Sequence, residues 1–135
     1  MAHGDATVPL LGAQALIRLA ARQLAGAMDC PACAAIASAG WQSVPGGFDR
    51  KALRRVGTLR RPEDEDPTLR EHHPAGTNAW SADAPIAPAF FPYNRCDVWE
   101  CASCIRTFLR YTEYGGYYEE DRIRPVLAQL VSGGT

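Results

Sequence analysis

Lysine is nearly missing from this chain: Lys51 is the only one, and arginine supplies the rest of the 14 basic residues. Arginine over lysine, with abundant alanine, is what a GC-rich coding sequence produces and points to a bacterial source. No stretch approaches the ~20 consecutive apolar residues that a bilayer-crossing helix needs. No positive charge precedes the first apolar stretch, and Arg18 and Arg22 interrupt it, which argues against a secretory signal. The expectation is therefore a cytoplasmic protein whose thiols stay reduced. Excess charge is lacking too. A net charge of -1 offers no bulk attraction to nucleic acid or anionic lipid. There is no Ser-His-Asp arrangement, no phosphate-cradling glycine loop, no zinc-protease helix and no internal repeat.

What remains is 135 residues, 47% of them hydrophobic and 21% charged, which fits one domain with a modest core. The expected architecture is α+β, with an N-terminal helix and a C-terminal antiparallel β-hairpin or small sheet joined at a four-cysteine zinc site. A single domain over 1–135 would carry a flexible N-terminus at 1–8 and a long loop at 62–95. Residues 9–28 repeat apolar positions at helical spacing, and Pro9 suits a first turn. DCPAC breaks that helix, and 34–39 resumes as a short one, with Gly40 placed to end it. The run 49–61 is a short helix or an irregular strand, interrupted by Gly57. PEDEDP at 62–67 follows it and is expected to neutralise part of its charge.

The last third alternates more clearly. VWEC, ASC and IRTFLRYTEY read as strand, tight knuckle and strand. Gly115-Gly116 is a two-residue hairpin signal, and PVLAQLV closes with a short helix. A turn at Gly115-Gly116 places Tyr114 opposite Tyr117, Phe108 opposite Ile123, and Arg110 opposite Asp121.

Five cysteines, an odd number in a reducing compartment, do not suggest a disulfide framework. Cys30/Cys33 and Cys101/Cys104 form two C-x2-C pairs. Two intervening residues let a tight turn aim both sulfurs at one ion, and two such pairs complete a tetrahedral zinc site. A long separation between the pairs is tolerated, because loop-closure entropy grows slowly with length. CPAC and CASC, the second opening a hairpin, resemble the knuckles of zinc-ribbon and rubredoxin-like proteins. That likeness covers the two motifs and their flanking strands. Here Ala34 follows the first motif where glycine is usual, and helices rather than strands flank it. The resemblance implies one bound ion and an association with nucleic-acid machinery.

Other chemistries stay open. Cys96, Cys101 and Cys104 have the spacing of three ligands of a plant-type Fe–S cluster, with no fourth cysteine downstream. Cys30 and Cys33 could form a redox dithiol near a helix start. The thiols could also simply fill space. In the zinc reading Cys96 is spare, either a small buried hydrophobe, an extra ligand or a reactive thiol.

His72 and His73, with Glu71 or Asp83, could form a second metal site or a general base, although a solvated loop pair is the plainer reading. Arg50, Lys51, Arg54, Arg55, Arg60 and Arg61 are the candidates for phosphate contacts. Tyr111, Tyr114, Tyr117, Tyr118, Phe90 and Phe91 form a candidate interaction surface. A closed four-cysteine zinc has no open position for water, which argues for structure over catalysis. The function expected is that of a binding or accessory protein with a protein partner or self-association. A nucleic-acid-binding module and a redox or metal-dependent enzyme are the alternatives.

Overall fold

Alternating apolar and polar residues in the last third build the centre of a five-stranded sheet. The computed structural model describes residues 8–22, 29–62, 67–74, 77–78, 80–114 and 117–132. One α-helix, α1, spans Ala13–Ala20. The strands are β1 (Gln42–Ser43), β2 (Leu53–Thr58), β3 (Asp97–Cys101), β4 (Thr107–Tyr114) and β5 (Glu119–Pro125). Their order is β1-β5-β4-β3-β2, and every pairing is antiparallel. The molecule is thus α+β and mostly β. The sheet is larger than a C-terminal hairpin, because β1 and β2 come from the middle of the chain and form its two edges.

Successive residues of a strand face opposite sides, and each side has its own core. Val98 and Leu109 face α1, where Leu16, Ala20, Trp41, Leu59, Ile86, Tyr93, Cys96 and Val126 join them. Cys101, Phe108 and Ile123 face the other way, with Leu53, Ile36, Cys30, Cys33 and Cys104. Phe108 and Ile36 are fully buried, and truncating either to alanine removes a contribution of about 2–5 kcal/mol.

The helix is shorter than its periodicity predicts. It ends at Ala20, and residues 23–28 of the expected span lie outside the described residues. The segment after the first cysteine pair makes a single 3-10 turn, Ala34–Ile36. The basic run resolves into a 3-10 turn at Arg50–Ala52 followed by strand β2. Gly57 sits at a bulge in β2, where Val56 is the extra residue between the pairs Arg55↔Trp99 and Gly57↔Val98. Pro9 and Leu11 run alongside, with backbone bonds Leu11 N–H to Thr58 O (2.8 Å) and Thr58 N–H to Pro9 O (3.0 Å).

The β4–β5 register differs from the expected one by two residues. Tyr114 pairs with Glu119, Arg110 with Ile123, and Phe108 with Pro125. Four residues, 115–118, connect the strands, and the Gly115-Gly116 turn itself lies outside the described residues. A slip of two leaves every side chain on its original face, so the apolar pattern does not discriminate between the registers. Side-chain bonds favour the observed one: Thr112 donates to Asp121 (2.9 Å) and Arg122 to Glu113 (2.9 Å). Arg110 still reaches Asp121 diagonally, at 3.6 Å.

The long connection contains short elements that the sequence hid. Ile86 bridges to Val131 beside the 3-10 turn Ala128–Leu130. A second 3-10 turn, Tyr93–Arg95, leads into β3 after a cis Phe91-Pro92 bond. Phe91 N–H donates to Arg70 O (2.7 Å), and Arg95 Nη2 to Pro67 O (3.0 Å).

Candidate metal centre

Strand β3 ends at Cys101, and the chain turns through Ala102 and Ser103 to Cys104 before β4 begins. Two backbone bonds close this knuckle: Ile105 N–H to Cys101 O and Cys101 N–H to Arg106 O, both 2.9 Å. A third, Ala102 N–H to Ala52 O (2.8 Å), fixes it to the start of β2. Ile105 takes φ 56°, the left-handed region that β-branched residues avoid. The reversal after the second thiol therefore occurs without the glycine that would make it easy.

The other pair arrives from the far end of the sequence. Cys30 and Cys33 flank a turn, and Cys33 sits just before the 3-10 turn Ala34–Ile36. Cys30 Sγ lies 3.8 Å from Cys101 Sγ, and Cys33 Sγ lies 3.8 Å from Cys104 Sγ. All four sulfurs lie within 4.8 Å of one another, close enough to hold a metal ion. Among the described residues, this is the one group of three or more Cys, His, Asp or Glu placed to do so.

The surroundings favour a thiolate at Cys30 and oppose one at Cys33 and Cys104. Burial pushes Cys30 up, but backbone amides of Ala32 and Cys33 and the neighbouring thiols outweigh it, and the net shift is downward. Burial and the nearby Cys101 push Cys33 well up. Burial also raises Cys104, against the amide of Arg106. A bound cation would remove the mutual repulsion that keeps such thiols protonated, so metal uptake and proton release are coupled.

Cys96 lies outside this group. It is buried in the α1-side core, and its thiol donates to Pro92 O (3.3 Å). Burial, followed by Asp97, pushes it well up, so its thiolate is disfavoured. The set Cys96, Cys101 and Cys104 is therefore divided between the two faces of the sheet. His72 stacks on Phe90 (5.2 Å between rings), and His73 contacts Glu71 (2.5 Å). No third ligating group joins them among the described residues.

The basic run is engaged within the sheet. Arg54 pairs with Glu100 (2.7 Å) and Arg50 with Asp121 (2.8 Å), while Arg55 and Arg60 both reach Asp97 (3.2 and 3.1 Å). Acids on β3 and β5 balance part of its charge. Residues 63–66 of PEDEDP lie outside the described residues. Lys51 and Arg61 are exposed. The aromatic candidates divide. Tyr111 packs edge-on against Trp41 (5.0 Å) and Phe91 (6.3 Å), whereas Tyr114, Tyr117 and Tyr118 are exposed.

Glu100 and Arg124 are two of the buried polar residues that sequence reasoning passed over. Glu100 is buried and accepts from Arg22 as well as Arg54, both at 2.7 Å, which ties the end of α1 to β3. Arg124 is fully buried and donates to Tyr93 Oη (2.9 Å), while its Nε and Nη2 have no partner among the described residues. An arginine in an alternating strand reads as solvent-facing, so nothing in the sequence marked it.

The fold and site together define a mostly antiparallel β protein with four converging cysteines from two knuckles. Comparison with protein-family models, curated proteins and solved structures returns no match.

Proposed function

We propose that the protein is a small zinc-stabilised binding or accessory protein that acts through protein–protein contacts. The observation that carries this reading is the convergence of the four sulfurs. Four thiolates ~2.3 Å from one zinc stand ~3.8 Å apart in a tetrahedron, and two of the sulfur pairs are at 3.8 Å. Four protein ligands leave no open position for water, so the ion supports the fold and performs no hydrolysis. The exposed Tyr114, Tyr117 and Tyr118 support contact with a protein. The phosphate-binding alternative has less support, because four of the arginines that would serve it, Arg50, Arg54, Arg55 and Arg60, are ion-paired within the sheet.

The test is elemental analysis with a visible spectrum on protein purified without chelator. About one zinc per chain and no colour are expected, with unfolding when a strong chelator is added. Iron with visible absorbance would overturn the zinc assignment and favour electron transfer. Cys101→Ser is expected to lose the ion and most of the thermal transition, whereas Cys96→Ser keeps the ion.

A further inference from the structure

Among the described residues, interior strand β4 outruns its neighbour β3 and leaves a stretch of open edge. Strand β3 begins at Asp97, opposite Arg110, so β4 continues from Tyr111 to Tyr114 with no strand of the described residues on that side. None of the described backbone hydrogen bonds outside the strands ends on these four residues. In an antiparallel strand alternate residues turn their N–H and C=O groups to the same side, so half of this stretch presents them outward. Such an edge is a ready template for an added strand.

A groove of about 450 Å³ runs along this edge, within the ~300–1,000 Å³ range of ligand sites. Its chemistry is specific. Arg60, Arg95 and Arg110 line it, together with the rings of Phe91, Tyr111 and Tyr114. Its two acids are already occupied. Asp97 accepts from Thr58 (2.7 Å) and pairs with Arg55 and Arg60. Glu113 accepts from Arg122 (2.9 Å) and Tyr118 (3.1 Å). Among the described residues Arg95 has no carboxylate partner and its buried Nε has no hydrogen-bond acceptor, while its Nη2 donates to Pro67 O (3.0 Å). Arg110 lies over the Trp99 ring (4.7 Å), at the long distance of 3.6 Å from Asp121. An entering carboxylate therefore finds guanidinium donors in excess. Leu69 and Tyr114, 69% and 73% exposed, add apolar surface at the rim.

We propose that this groove captures an extended acidic peptide segment of a partner protein, which adds to β4 as a further strand. This rests on the protein-binding reading above and locates it. Backbone bonds to residues 111–114 supply register-independent affinity. Side chains of the added strand alternate between faces, so acidic residues that meet Arg60 and Arg110 would alternate with apolar residues on the face of Phe91 and Tyr111, where Arg95 lies over the Phe91 ring (5.5 Å). A second copy of this chain is the wrong occupant. Pairing two β4 edges about a two-fold axis would set the same arginines against each other.

The experiment selects random twelve-residue peptides displayed on phage against the full, metal-loaded chain. Enriched peptides are expected to alternate Asp or Glu with apolar residues. Chemically synthesised, they should shift the amide resonances of residues 110–114. Their affinity should fall at least tenfold when alternate peptide nitrogens are methylated, and at least tenfold on the double variant Arg95→Gln/Arg110→Gln. The methylated peptides need no protein variant, so a folding defect in the double variant leaves the test intact. Peptides that bind through other residues, with 110–114 unshifted, would overturn the groove and leave the protein-binding reading standing. No enrichment, with a single-stranded oligonucleotide binding instead, would sink both. Dimerisation through β4 would overturn the choice of occupant.

Discussion

Arg124 is the residue whose environment departs furthest from its ordinary one. A guanidinium with no access to solvent and, among the described residues, no carboxylate and one hydrogen bond, to Tyr93, is costly to desolvate. Arg124→Met is expected to leave stability unchanged or raise it by about 1–4 kcal/mol, as buried charges replaced by apolar groups often do. Tyr93→Phe removes the one partner and should cost about 1–3 kcal/mol. Urea denaturation of both variants checks the pair, and equal destabilisation by the two would contradict the argument. Asp121 gives a pH-dependent counterpart. Burial raises its carboxyl, but the Thr112 hydroxyl, Arg110 and Arg50 outweigh it and hold it below the usual range. A depressed carboxylate contributes stability that is present above the unfolded value and lost as pH falls through the folded one. Asp121→Asn should therefore flatten the loss of stability below about pH 4, as measured by thermal melts across the acid range. The four ligand candidates were legible because C-x2-C spacing has a mechanical cause that survives without context. Arg124 was not, because its burial depends on what α1 and the long connection place above β5.

At the scale of elements, local signals predicted kind better than extent. The knuckle between β3 and β4 could be read directly, since a turn between two β-branched, aromatic runs has few other solutions. The hairpin register could not, because a two-residue slip preserves the apolar face and only cross-strand bonds choose between them. Ion pairs were hidden for a related reason. Arg54 and Glu100 stand 46 residues apart, and their pairing needs β2 to lie beside β3. The crossing of the N-terminal strap over β2 yields a sharp prediction. A Cβ at Gly57 would lie 2.5 Å from Leu11 Cδ1 and 3.2 Å from Pro9 O. Gly57→Ala is expected to cost about 1–3 kcal/mol through overpacking. Faster hydrogen exchange at Leu11 and Thr58 would report the strap lifting. Unchanged protection at those two amides would show that the crossing has slack.

For the molecule as a whole, two cores on opposite faces of one sheet divide its support. The α1 side is an ordinary apolar core, whereas the other side gathers the thiols around Phe108 and Ile123. Chelation should therefore disrupt the two sides unequally. Amides of β4 and β5 are expected to lose protection together, because their alternating side chains belong to both cores. The separation of the knuckles also has a consequence for synthesis. Each cross-knuckle sulfur pair spans 71 residues. At about 5–20 residues per second, a ribosome needs roughly 4–14 seconds to extend the chain from the first pair to the second. During that interval Cys30 and Cys33 are a vicinal dithiol without their partners, open to stray oxidants and to foreign thiophilic ions. Until Cys101 and Cys104 emerge, the first pair depends on a reducing environment rather than on its partners to stay as thiols.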